Sequence, residues 1–242
     1  ALGGLVVFFG NIEKLNWLSF TMSFAAGVML YISFVEILPE SFIEFSHNYK
    51  TTNALLYVFG FFVIGVAFAV FTDKLLPEQR INNQLNKSFK SKNNKIYRSG
   101  LLIALTMAFH NFPEGIVTFI GSVNDLSFGF IIGFAIALHN IPEGMAISVP
   151  IYHATGSKRK AFLYAALSGI TEPLGALFCY FVINSYLDDF VTAAIMSIVS
   201  GIMIFISFFI LIPLSFEYKG KLEHVYGLVT GMIVIEISIY LM

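Results

Sequence analysis

Long apolar stretches that are almost free of charge constrain this chain more than any other feature. Seven of them are long enough to cross a bilayer as a helix, which takes about 20 predominantly apolar residues. Strands of a membrane barrel are excluded, because the stretches are about twice a barrel strand's length and do not alternate between apolar and polar residues. The seven stretches are Leu18–Pro39, Ala54–Phe71, Gly100–Gly121, Leu126–Pro150, Ala161–Tyr186, Val191–Pro213 and Val225–Met242.

The seven stretches, one shorter apolar stretch and one long polar segment together define the predicted architecture. An eighth apolar stretch, Ala1–Gly10, is too short to cross a bilayer, and we interpret it as the end of a truncated first helix. The sequence therefore predicts an all-α polytopic membrane protein, a bundle of eight helices in one transmembrane domain over residues 1–242. The long polar stretch Pro77–Ser99 is rich in Asn, Lys and Ser and predicts a flexible basic loop.

The amino-acid composition indicates which partners this bundle can contact and which ligands it can offer a metal. Only 12% of the residues are charged, against about 25% in soluble domains, so much of the surface must face the lipid bilayer. The net charge of −1 gives no reason to expect a nucleic-acid partner. Cys179 is the single cysteine, which excludes an internal disulfide or a thiolate cluster. A bound metal would therefore use nitrogen and oxygen ligands.

Basic residues are unevenly divided between the two sides of the predicted bundle. Of the 14 Lys and Arg residues, 13 fall in alternate loops, and Lys50 alone falls in the other set. Loops rich in Lys and Arg stay in the cytoplasm, so both chain termini are predicted to lie outside. The basic set comprises Lys14, Lys74, Arg80, Lys87, Lys90, Lys92, Lys95, Arg98, Lys158, Arg159, Lys160, Lys219 and Lys221.

A polar motif interrupts two consecutive predicted helices near the middle of the membrane. His-Asn-x-Pro-Glu-Gly occurs at His110–Gly115 and again at His139–Gly144, 29 residues further on. Because residues four apart share a helix face, the His and Glu of each motif point to the same side. Glu172 lies at a similar depth in the next helix. The antiparallel repeat predicts inverted-repeat character and a central site of the kind found in transporters.

The chemistry of these residues favours a divalent cation. Glu114, Glu143 and Glu172 bring three carboxylates to a depth without any Lys or Arg, and buried carboxylates either take up protons or bind cations. Imidazole with carboxylate suits zinc, iron, manganese, cobalt, nickel or cadmium. The alternatives are hydrogen bonds between helices and a proton relay without metal. The candidate ligands are His110, Asn111, Glu114, His139, Asn140, Glu143 and Glu172.

The number of candidate ligands favours two ions. Seven side chains exceed the four ligands that zinc usually takes. A binuclear site in which Glu114 and Glu143 bridge would use all of them.

The paired motifs resemble those of the ZIP family of divalent metal transporters, and in particular its bacterial members. The resemblance extends from Leu18 onward and includes Phe34–Pro39 and Ser168–Ala176. It implies an eight-helix bundle in the bacterial inner membrane that moves metal toward the cytoplasm. It further implies that His110 and His139 bind one ion, that Asn111, Asn140 and Glu172 bind the other, and that the two motif Glu residues bridge. Other branches place an acid where Asn140 stands.

Further polar residues are candidates for the metal pathway outside the central site. Glu36, and then Glu40, Glu44 and His47 at helical spacing, lie toward the predicted outer end of the second helix. His153 and His224 lie near the predicted cytoplasmic side and could receive departing metal. The alternative for each is a solvated helix end or a hydrogen bond to a neighbouring helix.

Three functions use these residues. The first is uptake of divalent metal, with Zn2+ as the principal substrate and Cd2+, Fe2+, Mn2+ and Co2+ as others. The second is an intramembrane metalloenzyme, either a hydrolase or of di-iron type, although the chain contains no His-Glu-x-x-His. The third is a metal-gated channel or sensor. The sequence favours transport and leaves open whether the bundle forms a homodimer.

Overall fold

Regular structure in the computed structural model is helical throughout the part of the chain that it describes, residues 2–9, 15–75, 92–124, 126–183, 186–217 and 222–240. The α-helices are α1 (Val6–Phe9), α2 (Leu15–Tyr31), α3 (Leu38–Asn48), α4 (Thr51–Leu75), α5 (Lys92–Asn124), α6 (Leu126–Thr155), α7 (Lys158–Phe178), α8 (Asp189–Ile206), α9 (Ile212–Glu217) and α10 (Glu223–Tyr240). A 3-10 turn, Leu2–Leu5, precedes α1. This confirms the predicted all-α class.

Three π-helical segments lengthen or join these helices. Ile32–Ile37 joins α2 to α3, Ser207–Leu211 joins α8 to α9, and Cys179–Ile183 extends α7. Ser33 and Ser207 each donate their hydroxyl to the carbonyl oxygen four residues earlier, at 2.8 Å. Such back-bonding satisfies the hydroxyl inside an apolar bundle and helps to bend the helix.

Five stretches of the described residues are long and apolar enough to cross a membrane, namely Ser19–Asn48, Thr51–Lys74, Ile103–Ile120, Lys158–Val182 and Asp189–Phe216. All five fall on predicted membrane stretches, which supports a multi-pass membrane protein. The total of eight helices and the inverted repeat stay predictions.

Large apolar side chains cover the outer face of α4. They suit lipid better than water, because soluble surfaces rarely expose contiguous apolar patches of this kind. The exposed residues on this helix include Leu55, Leu56, Phe59, Val63, Ile64, Phe68 and Phe71.

The boundary of the polar loop is a correction to the sequence prediction. Helix α5 begins at Lys92, so residues 92–99 form its first two turns and are not part of a loop. A tertiary contact stabilises this extension: the Tyr97 ring packs edge-on against Tyr164 of α7, with the two hydroxyls 3.2 Å apart. Residues 77–91 of the predicted loop lie outside the described part of the chain.

The helices pack as two groups. Helices α5, α6 and α7 contact one another, and α6 and α7 also contact the Leu2–Leu5 turn, whereas α2 packs along α10 and α4 packs along α8. Glycine lets the helices of the α2–α10 and α4–α8 pairs approach closely. A Cβ on Gly27 would overlap the Leu228 carbonyl oxygen, and one on Gly65 would overlap that of Ile198. The groups meet where α2 touches α6 and α5 touches α8.

The N-terminal turn packs directly on the second motif. A Cβ on Gly3 would overlap the carbonyl oxygen of Ile141, and one on Gly144 would lie 2.9 Å from the Gly3 Cα. Residues 2–9 therefore cover one side of α6 at the depth of the motif. Residues 1 and 10–14, which complete the predicted first helix and its connection, are outside the described ranges.

Candidate metal centre

Glycines bring α5 and α7 into backbone contact at the level of the motifs. A Cβ on Gly115 would overlap the carbonyl oxygen of Glu172, and a Cβ on Gly175 would overlap that of Phe112. The motif glycine of α5 thus lies against the backbone of α7, and the glycine three residues after Glu172 lies against the backbone of α5. This close approach places the polar residues of both helices on either side of one space.

Asn111 and Glu143 are buried next to each other. Their exposed fractions are 4% and 2%. We assign the Asn111 amide so that its nitrogen faces acceptors. It then donates to the Met107 carbonyl oxygen at 2.9 Å and to Glu143 Oε2 at 3.2 Å. The first motif of α5 is therefore bonded directly to the second motif on α6.

Asn140 links the second motif to α7. Its Nδ2 donates to Glu172 Oε2 at 2.5 Å. Its Oδ1 is buried and accepts no hydrogen bond within the described part of the chain. An amide oxygen in this state is a candidate oxygen ligand for a cation.

A single cavity joins these groups. It is narrow, with a water-accessible volume of about 10 Å³, which is room for about one water molecule or ion. Two asparagines and one motif carboxylate supply polar groups, and small or apolar residues form the rest of the wall. The lining residues are Asn111, Asn140, Glu143, Gly144, Ile147, Ala165, Ser168 and Gly169.

The remaining predicted ligands lie on the same helices. Glu114 is 5% exposed and lies one turn after Asn111 on α5, but it is not among the residues that line the cavity. His110 and His139 belong to α5 and α6. Their side chains are outside the described part of the structure.

The segments around the centre contain no basic residues that could neutralise its carboxylates. No Lys or Arg occurs between residues 99 and 157, or between residues 161 and 218. The carboxylates of this region therefore have no basic residue on their own helices at the same depth. Water is largely excluded around the buried Glu143, which strengthens the attraction for any cation that enters.

Sequence reasoning missed one residue of the cavity wall. Ser168 lies one turn before Glu172 on α7 and is 3% exposed. Its hydroxyl has no hydrogen-bond partner among the described residues. The i, i+4 spacing to Glu172 is the signal that would have found it.

The predicted pathway residues lie away from the cavity lining. Glu36, in the π-helical segment Ile32–Ile37, and Glu40 on α3 are both exposed. His153 is half-buried, with its ring 6.2 Å from that of Tyr152. The His224 ring packs on Phe216 at 4.2 Å between centroids.

His47 lies next to a carboxylate of its own helix. Its Nδ1 lies 3.6 Å from Glu44 Oε2.

The fold and the cavity together define a class: a helical membrane protein with a buried centre of carboxylates and amides. The family model described as ZIP Zinc transporter matches residues 77–238. The zinc transporter ZupT of Campylobacter jejuni is 40% identical over 268 residues, covering 100% of this chain and 92% of that protein. The Streptococcus mutans ZupT is 40% identical, covering 99% and 92%, and that of Escherichia coli is 37% identical, covering 100% and 91%.

The chain belongs to the ZIP family, which confirms the predicted resemblance. Membership of a transporter family favours transport over the metalloenzyme alternative.

Proposed function

We propose that this protein carries divalent metal cations across a bacterial membrane through the cavity between α5, α6 and α7, with zinc as the principal substrate. One observation carries the proposal: Asn111, Asn140 and Glu143 meet in a single cavity inside an otherwise apolar bundle. Two of the relatives named as zinc transporters are 40% identical to this chain over almost its whole length. Cd2+, Fe2+, Mn2+ and Co2+ are further candidate substrates, because they accept the same nitrogen and oxygen ligands.

The proposed ligands form two sets. His110 and His139 bind the first ion, and Asn111, Asn140 and Glu172 bind the second. Glu114 and Glu143 bridge the two ions. The hydrogen bonds Asn111–Glu143 and Asn140–Glu172 support this division, because each already brings together groups from two helices.

The proposed direction of transport is into the cytoplasm across the inner membrane. The loops that carry 13 of the 14 basic residues then face the cytoplasm. Both chain termini lie outside in this orientation, and the bundle has eight membrane helices.

Metal uptake into liposomes tests the proposal. Replacing both Glu114 and Glu143 by Gln keeps their shape but removes two anionic ligands. Zinc uptake should fall by roughly 100-fold, because loss of even one supporting partner of a metal ligand costs about 10–100-fold. Uptake of Cd2+, Fe2+, Mn2+ and Co2+ measured in the same vesicles gives the substrate range.

Glu236→Gln is the matched control. Glu236 is an exposed residue of α10 that accepts a hydrogen bond from the Tyr31 hydroxyl, and the amide oxygen of Gln can still accept it. This variant should transport zinc as the unchanged protein does. Normal zinc uptake by the Glu114→Gln, Glu143→Gln variant would refute the proposed function.

A further inference from the structure

A second group of metal-ligating side chains lies at the end of the bundle, on different helices from the cavity. Glu44 and His47 are one turn apart on α3, and Asp189 is the first residue of α8. One ligand atom from each of the three side chains lies within 4.8 Å of the other two. We call these three residues the rim cluster.

The distances in the rim cluster suit a small divalent cation. Zinc binds imidazole nitrogen and carboxylate oxygen at about 2.0–2.2 Å in tetrahedral geometry, which puts two ligand atoms roughly 3.4 Å apart. His47 Nδ1 and Glu44 Oε2 are 3.6 Å apart. One ligand atom of the third side chain, Asp189, lies within 4.8 Å of a ligand atom of each of the other two. Open coordination positions would be filled by water, as in exposed metal sites generally.

Aromatic packing directly beneath the cluster fixes the separation of its two helices. Phe45 and Phe190, which follow Glu44 and Asp189 in the chain, pack edge to face with ring centroids 5.3 Å apart. Phe45 is 1% exposed. The backbones that carry the ligands are therefore held in register, and only the side chains need to be ordered on binding a metal.

Hydrogen bonds between α3 and α8 hold the same register. The Ser41 hydroxyl donates to the Ala193 carbonyl oxygen at 2.9 Å and lies 2.5 Å from the Ser197 hydroxyl. Asn48 Nδ2 donates to Asp189 Oδ2 at 3.0 Å, which orients that carboxylate toward α3.

Asp189 is not needed to cap its own helix. Asp188 fills that role, because its Oδ1 accepts from the Val191 backbone N–H at 2.8 Å. The Asp189 carboxylate is therefore available to a ligand. Among the residues that the structure describes, no Lys or Arg forms an ion pair with Glu44 or Asp189.

We propose that Glu44, His47 and Asp189 bind a divalent metal ion at the rim of the bundle, separately from the central cavity. The Ser19–Asn48 helix has 30 residues, so its length of about 45 Å exceeds the roughly 30 Å hydrocarbon core and its end reaches the aqueous boundary. Metal binding by the cluster stands independently of transport. Its role in transport, loading incoming metal at the outer face, rests on the proposed function.

Metal-binding stoichiometry of the purified full-length protein tests the site. In a Glu114→Gln, Glu143→Gln background, equilibrium dialysis with Zn2+ should still show one bound ion per chain. Adding His47→Gln and Asp189→Asn should remove that ion. Co2+ should give the visible absorption of a low-symmetry nitrogen and oxygen site in the background protein and lose it in the fourfold variant.

Asp73→Asn is the matched control for general surface charge, because Asp73 is an exposed carboxylate on α4. In the same background it should leave the rim zinc and the Co2+ spectrum unchanged. The proposal is overturned if the background protein binds no zinc, if the fourfold variant retains the ion, or if Asp73→Asn removes it as well.

Zinc uptake measurements distinguish the loading role of the rim cluster from the proposed function. With the cavity intact, His47→Gln plus Asp189→Asn should raise the KM for zinc uptake by roughly tenfold, of the order expected for losing metal-site support, while the maximal rate stays close to that of the unchanged protein. An unchanged KM would overturn the loading role and leave transport through the cavity standing. Loss of uptake in Glu114→Gln, Glu143→Gln with normal uptake here is the result expected if both are correct.

Discussion

The central cavity and the rim cluster both contain carboxylates, but under opposite conditions. In the cavity, Asn111 and Glu143 are at most 4% exposed and are bonded to each other across two helices. In the rim cluster, His47 and Asp189 are exposed, and Glu44 is half-buried. Burial makes an uncompensated carboxylate costly, so the cavity depends on its amide donors and, in the proposed function, on the transported cation. Water reaches the exposed rim residues His47 and Asp189 directly, so the rim depends less on a bound cation than the cavity does.

This difference in burial suits the cavity to selecting a metal ion and the rim cluster to exchanging one with water. A buried site on three helices controls the number and geometry of the ligands, whereas an exposed site on two helices exchanges its ion readily with water. We therefore expect changes to the cavity ligands to affect the maximal rate of transport. Changes to the three rim residues should affect the concentration of metal at which transport begins.

The largest expected effect is on the packing that forms the cavity. Gly115→Val would force a branched side chain onto the Glu172 carbonyl oxygen, and overpacking against backbone costs about 3 kcal/mol or more. The variant should lose its cooperative melting transition in detergent, together with zinc uptake.

Gly60→Ala is the control for this packing effect. No atom lies within 4 Å of a Cβ placed on Gly60, so the variant should melt at an equal or higher temperature, since alanine stabilises a helix by roughly 0.5–1 kcal/mol relative to glycine. Equal melting curves for Gly115→Val and Gly60→Ala would show that α5 and α7 are not in the contact described.

A smaller effect is expected from removing the amide that supports each site. Asn140→Ala deletes the donor to Glu172 in the cavity and should lower the rate of zinc uptake by about 10–100-fold. Asn48→Ala deletes the donor to Asp189 at the rim, where water can replace it. It should raise the KM only a few-fold, roughly the cost of one exposed hydrogen bond. The comparison fails if Asn48→Ala slows uptake as much as Asn140→Ala does.

The last expected effect is on stability, and it distinguishes two buried serines. Ser41→Ala removes two hydrogen bonds between α3 and α8 beneath the rim and should cost about 1–3 kcal/mol. Ser168→Ala removes a cavity hydroxyl that has no partner among the described residues, and should leave stability within about 0.5 kcal/mol. Chemical unfolding of both variants in the same detergent measures the difference. A larger loss for Ser168→Ala would indicate that its hydroxyl is bonded in the folded protein.

The candidate ligands of the cavity were accessible to sequence reasoning because they repeat. The spacing of His110–Gly115 and His139–Gly144 identifies Asn111, Asn140 and Glu143, which the structure places around one cavity. Ser168 begins the Ser168–Ala176 stretch, but a single serine one turn before a Glu in an apolar helix is too common to identify a site residue. Its place in the wall depends on how closely Gly115 and Gly175 let α5 and α7 approach.

The start of α5 shows the limit of composition as a guide. Residues 92–99 are polar, and polarity alone predicted a loop, yet they are helical because Tyr97 packs on Tyr164 of another helix. Tertiary contacts of this kind override local propensity, since most helical stability in proteins comes from packing.

By itself, the sequence determined the helical membrane class and the spacing of the polar motifs along their helices. These properties depend on hydrophobic length and on spacing along one helix, and both are local. The tertiary structure alone decided that Asn140 meets Glu172, that Asn111 meets Glu143, and that Asp189 lies beside Glu44 and His47. The last of these joins residues more than 140 positions apart in the chain, and the packing of Phe45 on Phe190 sets that distance.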